Sequence, residues 1–123
     1  MDSAKIDSYR DLLVWQRAMD LSVETYGLTQ NWPKSEQYGL TNQIRRAATS
    51  IAANIAEGYG RDSKGSYQQF LRIAQGSLKE FETHLILGVR LGFSSKSEAD
   101  RLLIECDQLG KMLRALIRKI EAS

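Results

Sequence analysis

Between Leu40 and Ile55 the apolar residues Leu40, Ile44, Ala47, Ile51 and Ile55 recur at the spacing of one helical face. A second stripe of Gln43, Arg46, Ser50, Asn54 and Glu57 runs beside it, its members within about 80° of one another. Ala48, Ala52, Ala53 and Ala56 fill much of the remaining surface. Alanine lets neighbouring backbones approach closely while longer polar groups reach across a seam. The pattern predicts an inner helix over 36–58 with more than one packing partner.

The same reading predicts three further helices. Over 11–30, Val14, Trp15, Ala18, Leu21, Thr25 and Leu28 share a face, with Asp7 and Ser8 as caps and Trp32-Pro33 as the stop. Ser35-Glu36 marks the start of the second helix. Gly58-Tyr59-Gly60 marks its end, where glycine permits a left-handed terminating residue. Over 63–91, Tyr67, Leu71, Ala74, Leu78, Phe81, Leu85, Gly88 and Gly92 advance in steps of four and three, a heptad seam. Ser95 and Glu98 form a capping box for a helix over 96–121, whose stripe runs from Ala99 through Leu102, Cys106, Leu109, Leu113 and Ile117 to Ile120. Four long helices joined by short turns predict an all-α, antiparallel up-down-up-down bundle, one domain spanning 1–123.

Composition narrows the chemistry. The chain has one proline and one cysteine, so it holds no intramolecular disulfide and no cysteine-based metal cage. Its polar start, MDSAKIDSYRD, lacks the apolar core of a secretory signal, and no apolar run approaches the roughly 20 residues of a membrane span. The expectation is a cytoplasmic protein. Net charge is +2. Up to Tyr59 six Lys/Arg stand against seven Asp/Glu, and from Gly60 onward eleven stand against eight, so the positive excess lies in the second half. There Arg72, Lys79 and Arg90 align as one ridge, and Lys111, Arg114 and Arg118 as another. The second ridge has a bland reading, because Asp100 and Asp107 precede it on the same face and the signs complement the helix dipole.

Nothing in the sequence assembles a catalytic centre. Glu80 and His84 are spaced as an i,i+4 pair, but one histidine without a second Glu-x-x-His motif falls short of a metal site. Cys106 sits in an apolar stripe, where an inert thiol is expected, and Ser50 and Ser77 have no base beside them in sequence logic. No enzyme, cofactor or metal is expected. The polar group of Gln43, Arg46, Asn54 and Glu57, with Glu80 and His84 on the next helix, has two readings. It is either an internal network fixing register or subunit contacts, or a recognition surface. Ile73 and Leu87 stand off the third helix's seam and supply apolar surface beyond the needs of one bundle, which predicts self-association.

The segments DLLVWQRAMDLSVETY, WPKSEQYGLTNQIRRAATSIAANIAEGYGR and FLRIAQGSLKEFETHLILGVRLGF resemble the bacterial four-helix bundle proteins named after the 23S rRNA intervening sequence. More distantly they are similar to the accessory proteins of diversity-generating retroelements. The likeness spans roughly Asp11 to Phe93, with IRRAATSIAANIAEGYGR as its most specific motif. Ser66 departs from the glutamate that would complete a capping box with Ser63. The resemblance implies a ring-like homopentamer and a non-catalytic role in RNA or DNA binding. In a ring, modest basic ridges repeat by symmetry and their phosphate contacts add. The alternative is a scaffold for a protein partner such as a reverse transcriptase or another nucleic-acid enzyme.

Overall fold

A computed structural model describes residues 5–123. Residues 1–4, which begin both the polar N-terminal stretch and the expected 1–123 domain, lie outside them. The chain forms four α-helices: α1 (Leu13–Thr29), α2 (Leu40–Tyr59), α3 (Lys64–Arg90) and α4 (Lys96–Ala122). The described residues contain no strand. Each helix packs on its sequence neighbour, and α4 closes on α1. The most extensive seam joins α2 and α3. Short connections and closure of the last helix on the first are the marks of an up-and-down four-helix bundle.

The core is the union of the apolar stripes. Ile44, Ile51 and Ile55 of α2 meet Leu71, Leu78, Phe81 and Leu85 of α3, and Leu102, Leu109 and Leu113 complete the centre from α4. All are fully or almost fully buried. Each such side chain contributes about 1.5–3 kcal/mol relative to exposure. The shorter α1 adds Val14, Ala18 and Leu21, together with three buried hydroxyls. Ser22, Thr25 and Thr29 donate to the carbonyls of Ala18, Leu21 and Thr25 at 3.1, 2.7 and 2.8 Å, so none is left unpaired inside the core.

The helix ends depart from the sequence expectation in four places. Ser8 caps a short 3-10 turn, Tyr9–Asp11, while α1 itself starts at Leu13 without a side-chain cap. A second 3-10 turn, Lys34–Glu36, occupies the expected start of α2 and delays the helix to Leu40, whose N–H donates to Glu36 Oε1 at 3.0 Å. Gly60 has φ −80°, so α2 does not end in the left-handed conformation. Gly58 serves packing instead: a Cβ there would lie 2.7 Å from Phe70 Cβ. Finally, Gly92 is not a seam residue. It carries the only positive φ among the described residues, +79°, and terminates α3. The Phe93 N–H donates to Gly88 O at 2.8 Å and the Gly92 N–H to Val89 O at 3.0 Å, the paired bonds of a Schellman motif. The start of α4 follows the expected box, with Ser95 and Glu98 exchanging bonds of 3.2 Å. At α3, Ser63 accepts from the Ser66 N–H at 3.1 Å, which is half of such a box.

Candidate functional site

The polar stripe of α2 lies along the seam with α3 and divides into three groups. At its centre Ser50 Oγ sits 3.0 Å from Ser77 Oγ of α3, and Asn54 Nδ2 donates to Ser50 Oγ and Ser50 O at 3.0 and 2.8 Å. Towards the start of α2, Gln43 and Arg46 are exposed and make no side-chain hydrogen bond among the described residues. With Ala47, Ser50 and Glu80 they line an open cleft of about 340 Å³. Towards the end of α2, Glu57 pairs with Arg61 at 3.0 Å and not with its stripe-mates. The hydrogen-bonded unit is therefore Ser50–Asn54–Ser77, with Arg46 outside it.

Across the cleft, His84 Nε2 lies 3.4 Å from Glu80 Oε2, the histidine side chain 13% exposed and the glutamate 58%. Ile73, Glu80 and Leu87 follow one another at seven-residue steps and so occupy one line on α3. Both apolar members are 42% exposed. An apolar residue thus stands on either side of the polar cleft.

The basic ridges turn towards the α3–α4 side. Gln68 Nε2 donates to Ile117 O at 3.2 Å, and a Cβ on Gly110 would touch Leu78 at 3.6 Å. That antiparallel register sets Arg72 level with Arg114, with Arg118 one turn further along α4. Arg90, at the end of α3, lies level with the start of α4, several turns from Arg72, Arg114 and Arg118. All six residues, Arg72, Lys79, Arg90, Lys111, Arg114 and Arg118, are exposed. Lys79 is engaged with Glu82 at 3.3 Å, whereas the other five form no ion pair among the described residues. The ridges therefore gather into a basic cluster at the Arg72/Arg114 end, with Arg90 apart. Ion pairs elsewhere on α4 tie it to α1, through Arg17–Glu105 and Arg101–Glu24.

Among the described residues no three His, Cys, Asp or Glu side chains gather as metal ligands. Cys106 is buried, and burial, helped by nearby Glu82, pushes its thiol up to about 12. At neutral pH it is a protonated core residue and not a nucleophile.

One feature escaped the sequence reading. Tyr9, Trp15, Met19, Val23 and Tyr26 form an apolar groove of about 490 Å³ against Ala53 and Ala56 of α2. Tyr9 and Trp15 meet edge to face at 5.3 Å, and the Arg45 guanidinium lies 4.5 Å above the Tyr26 ring. The signal was present in the alanines of α2, which are too small to fill the space beside α1.

The fold and surface define an all-helical bundle protein with an apolar core and a polar cleft on the α2–α3 seam. The chain belongs to the 23S rRNA-intervening sequence protein family, whose model matches residues 10–115. No curated protein matches the chain. Among solved structures it is similar to a protein of unknown function from the S23 ribosomal protein family of Bacteroides thetaiotaomicron, at 24% identity and a TM-score of 0.76. That match covers 85% of this chain and 98% of the other, and it shows a shared fold. Among the described residues no helix is long and apolar enough to cross a membrane.

Proposed function

We propose that the protein is a non-catalytic, self-associating nucleic-acid-binding bundle that grips the backbone of RNA or DNA through the basic side of α3 and α4. The observation that carries this reading is the cluster of Arg72, Lys111, Arg114 and Arg118, four exposed cations without an internal ion pair among the described residues. Long basic side chains on a convex helical surface contact phosphates and not base edges, so binding is salt-sensitive and weakly selective for sequence. The family's link by name to the 23S rRNA intervening sequence supports a nucleic-acid setting. A homopentameric ring in the cytoplasm belongs to the same proposal. Ile73 and Leu87 supply its apolar subunit contact, and symmetry multiplies the basic cluster.

The test is charge reversal. The triple variant Arg72→Glu, Arg114→Glu, Arg118→Glu should lose duplex RNA binding while its helical circular dichroism stays intact. Arg90→Glu alone, outside the cluster, should bind almost as well as the unaltered protein. Equal affinity for the triple variant and the unaltered protein would overturn the assignment. The apolar α1–α2 groove supports a second reading, a scaffold that holds a protein partner. Loss of partner binding on Val23→Asp, with RNA binding unaffected, would favour it.

A further inference from the structure

The connection between α1 and α2 folds into a recess of about 210 Å³ whose walls include Thr29, Trp32, Lys34, Gln37, Thr41 and Arg45. One of its polar groups is held in place, and several are not used. Arg45 Nε donates to Thr29 Oγ1 at 2.9 Å while the guanidinium stacks on Tyr26, so the head group is oriented from two sides. Its terminal nitrogens make no hydrogen bond among the described residues. One turn earlier on α2, Thr41 is 6% exposed, and its Oγ1 is buried with no hydrogen-bond partner among the described residues. Lys34 forms no ion pair there. The nearby carboxylate, Glu36, is occupied with the Leu40 N–H. Lys34, Glu36 and Arg45 together leave one net positive charge.

A buried hydroxyl without a partner is costly, and native structures leave few of them unexplained. A carboxylate holds its acceptor sites in one plane and meets donors outside the plane of the Arg45 guanidinium poorly. A tetrahedral oxyanion presents acceptors in several directions at once and suits a guanidinium, a hydroxyl, an amide and an ammonium set on different elements. The recess also exceeds the roughly 30 Å³ share of one water molecule several-fold.

We infer that this recess is a phosphate-binding site, with Arg45 as the oriented anchor, Gln37 and Lys34 as further donors, and the Thr41 hydroxyl, sealed off in the unliganded protein, joining them by a turn about its χ1. The phosphate is either free or part of a nucleic-acid chain. The second source rests on the function proposed above and the first does not. Trp32 packs against Gly88 near the end of α3, so the recess stands at the opposite end of the bundle from the Arg72/Arg114 cluster. The two sites can therefore be tested separately.

The unaltered protein is titrated with sodium phosphate at neutral pH, followed by amide and arginine side-chain resonances, beside sodium chloride at equal ionic strength. Saturable shifts at Lys34, Thr41 and Arg45 with phosphate alone are expected. Arg45→Gln should weaken binding about tenfold or more, the loss of charge-assisted hydrogen bonds. Thr41→Val removes a buried hydroxyl that bonds nothing in the unliganded protein, so it should keep the fold and raise the melting temperature while weakening phosphate several-fold. The Arg72, Arg114, Arg118 triple reversal should leave phosphate binding unchanged. A short 5′-phosphorylated oligoribonucleotide that competes with phosphate assigns the site to nucleic acid, and failure to compete assigns it to the free ion. Identical responses to phosphate and chloride would overturn the inference. So would undiminished phosphate binding in both Arg45→Gln and Thr41→Val.

Discussion

Trp32 presses on Gly88: a Cβ placed on that glycine would lie 2.6 Å from the indole Cη2 and 2.7 Å from Cζ2. The indole has little room to retreat. Its Nε1–H donates to Ser94 Oγ at 2.7 Å, and its ring packs at 5.6 Å against Phe93. The α1–α2 connection is thereby clamped onto the Schellman turn that ends α3. Gly88→Ala should gain about 1 kcal/mol of helix propensity but lose about 1–3 kcal/mol to overpacking, a net destabilisation. Gly76→Ala, in the same helix with nothing within 4 Å of the new Cβ, should stabilise by up to about 1 kcal/mol. Urea melts of the two variants should therefore move in opposite directions. A Gly88→Ala protein more stable than its parent would refute the clamp.

The seam between α2 and α3 yields a second expectation. Asn54→Ala and Ser77→Ala should each cost about 1 kcal/mol, and the double variant should cost less than their sum, because both act on Ser50. Arg46→Ala, outside that unit, should change the stability of the single bundle by no more than about 0.5 kcal/mol. Denaturant titrations at low protein concentration decide it. Strong coupling between Arg46 and Asn54 there would contradict the hydrogen-bond pattern.

Much of this arrangement could be read from residue spacing. The stripe from Leu40 to Ile55 is strictly periodic, and its isoleucines are all fully buried. Spacing failed where a residue's role depends on its partner across space. Gly92 continues the heptad count but stands outside the helix, because counting steps does not reveal where a backbone turns left-handed. Lys34–Glu36 carries the signals of a helix start, yet Glu36 caps α2 from outside. Gln43, Arg46, Asn54 and Glu57 share one stripe, but Ser77 on α3 selects Asn54 through Ser50, and Arg61 takes Glu57. A single helix pattern has no access to those choices.

Stability should respond to alkaline pH. Burial pushes the Cys106 thiol up to about 12 from 9.0, and burial with the neighbouring Tyr59 pushes the Tyr67 phenol up to about 12 from 10.0. Both groups are held neutral in the folded state, so above the unfolded values the folded chain binds more protons than the unfolded one. Their contribution is complete below about pH 9 and is lost as pH rises towards about 12. Unfolding free energy should decline through that window, and Cys106→Ala should flatten the first part of the decline. An unchanged slope in that variant would show that the thiol does not contribute.

Self-association makes a separate expectation. Leu87 is 42% exposed on the single chain, so Leu87→Asp should leave the bundle folded. It should split the oligomer by placing a charge in an apolar contact, at a cost of several kcal/mol. Multi-angle light scattering should report a subunit-sized particle for the variant and a larger one for the parent. A parent that is itself monomeric would remove the basis for a ring.

Phosphate-backbone binding by the basic side of α3 and α4 is measured by a salt titration of RNA duplex binding to the unaltered protein, read by fluorescence anisotropy. Log affinity should fall linearly with log salt, by about 0.9 per neutralised phosphate for B-DNA and comparably steeply for RNA. With Arg72, Lys111, Arg114 and Arg118 each neutralising one phosphate, a slope of about 3.6 in magnitude is predicted, nearly independent of duplex sequence. Absence of salt-dependent binding to RNA or DNA, even at low ionic strength, would show that this basic surface does not bind phosphate backbones.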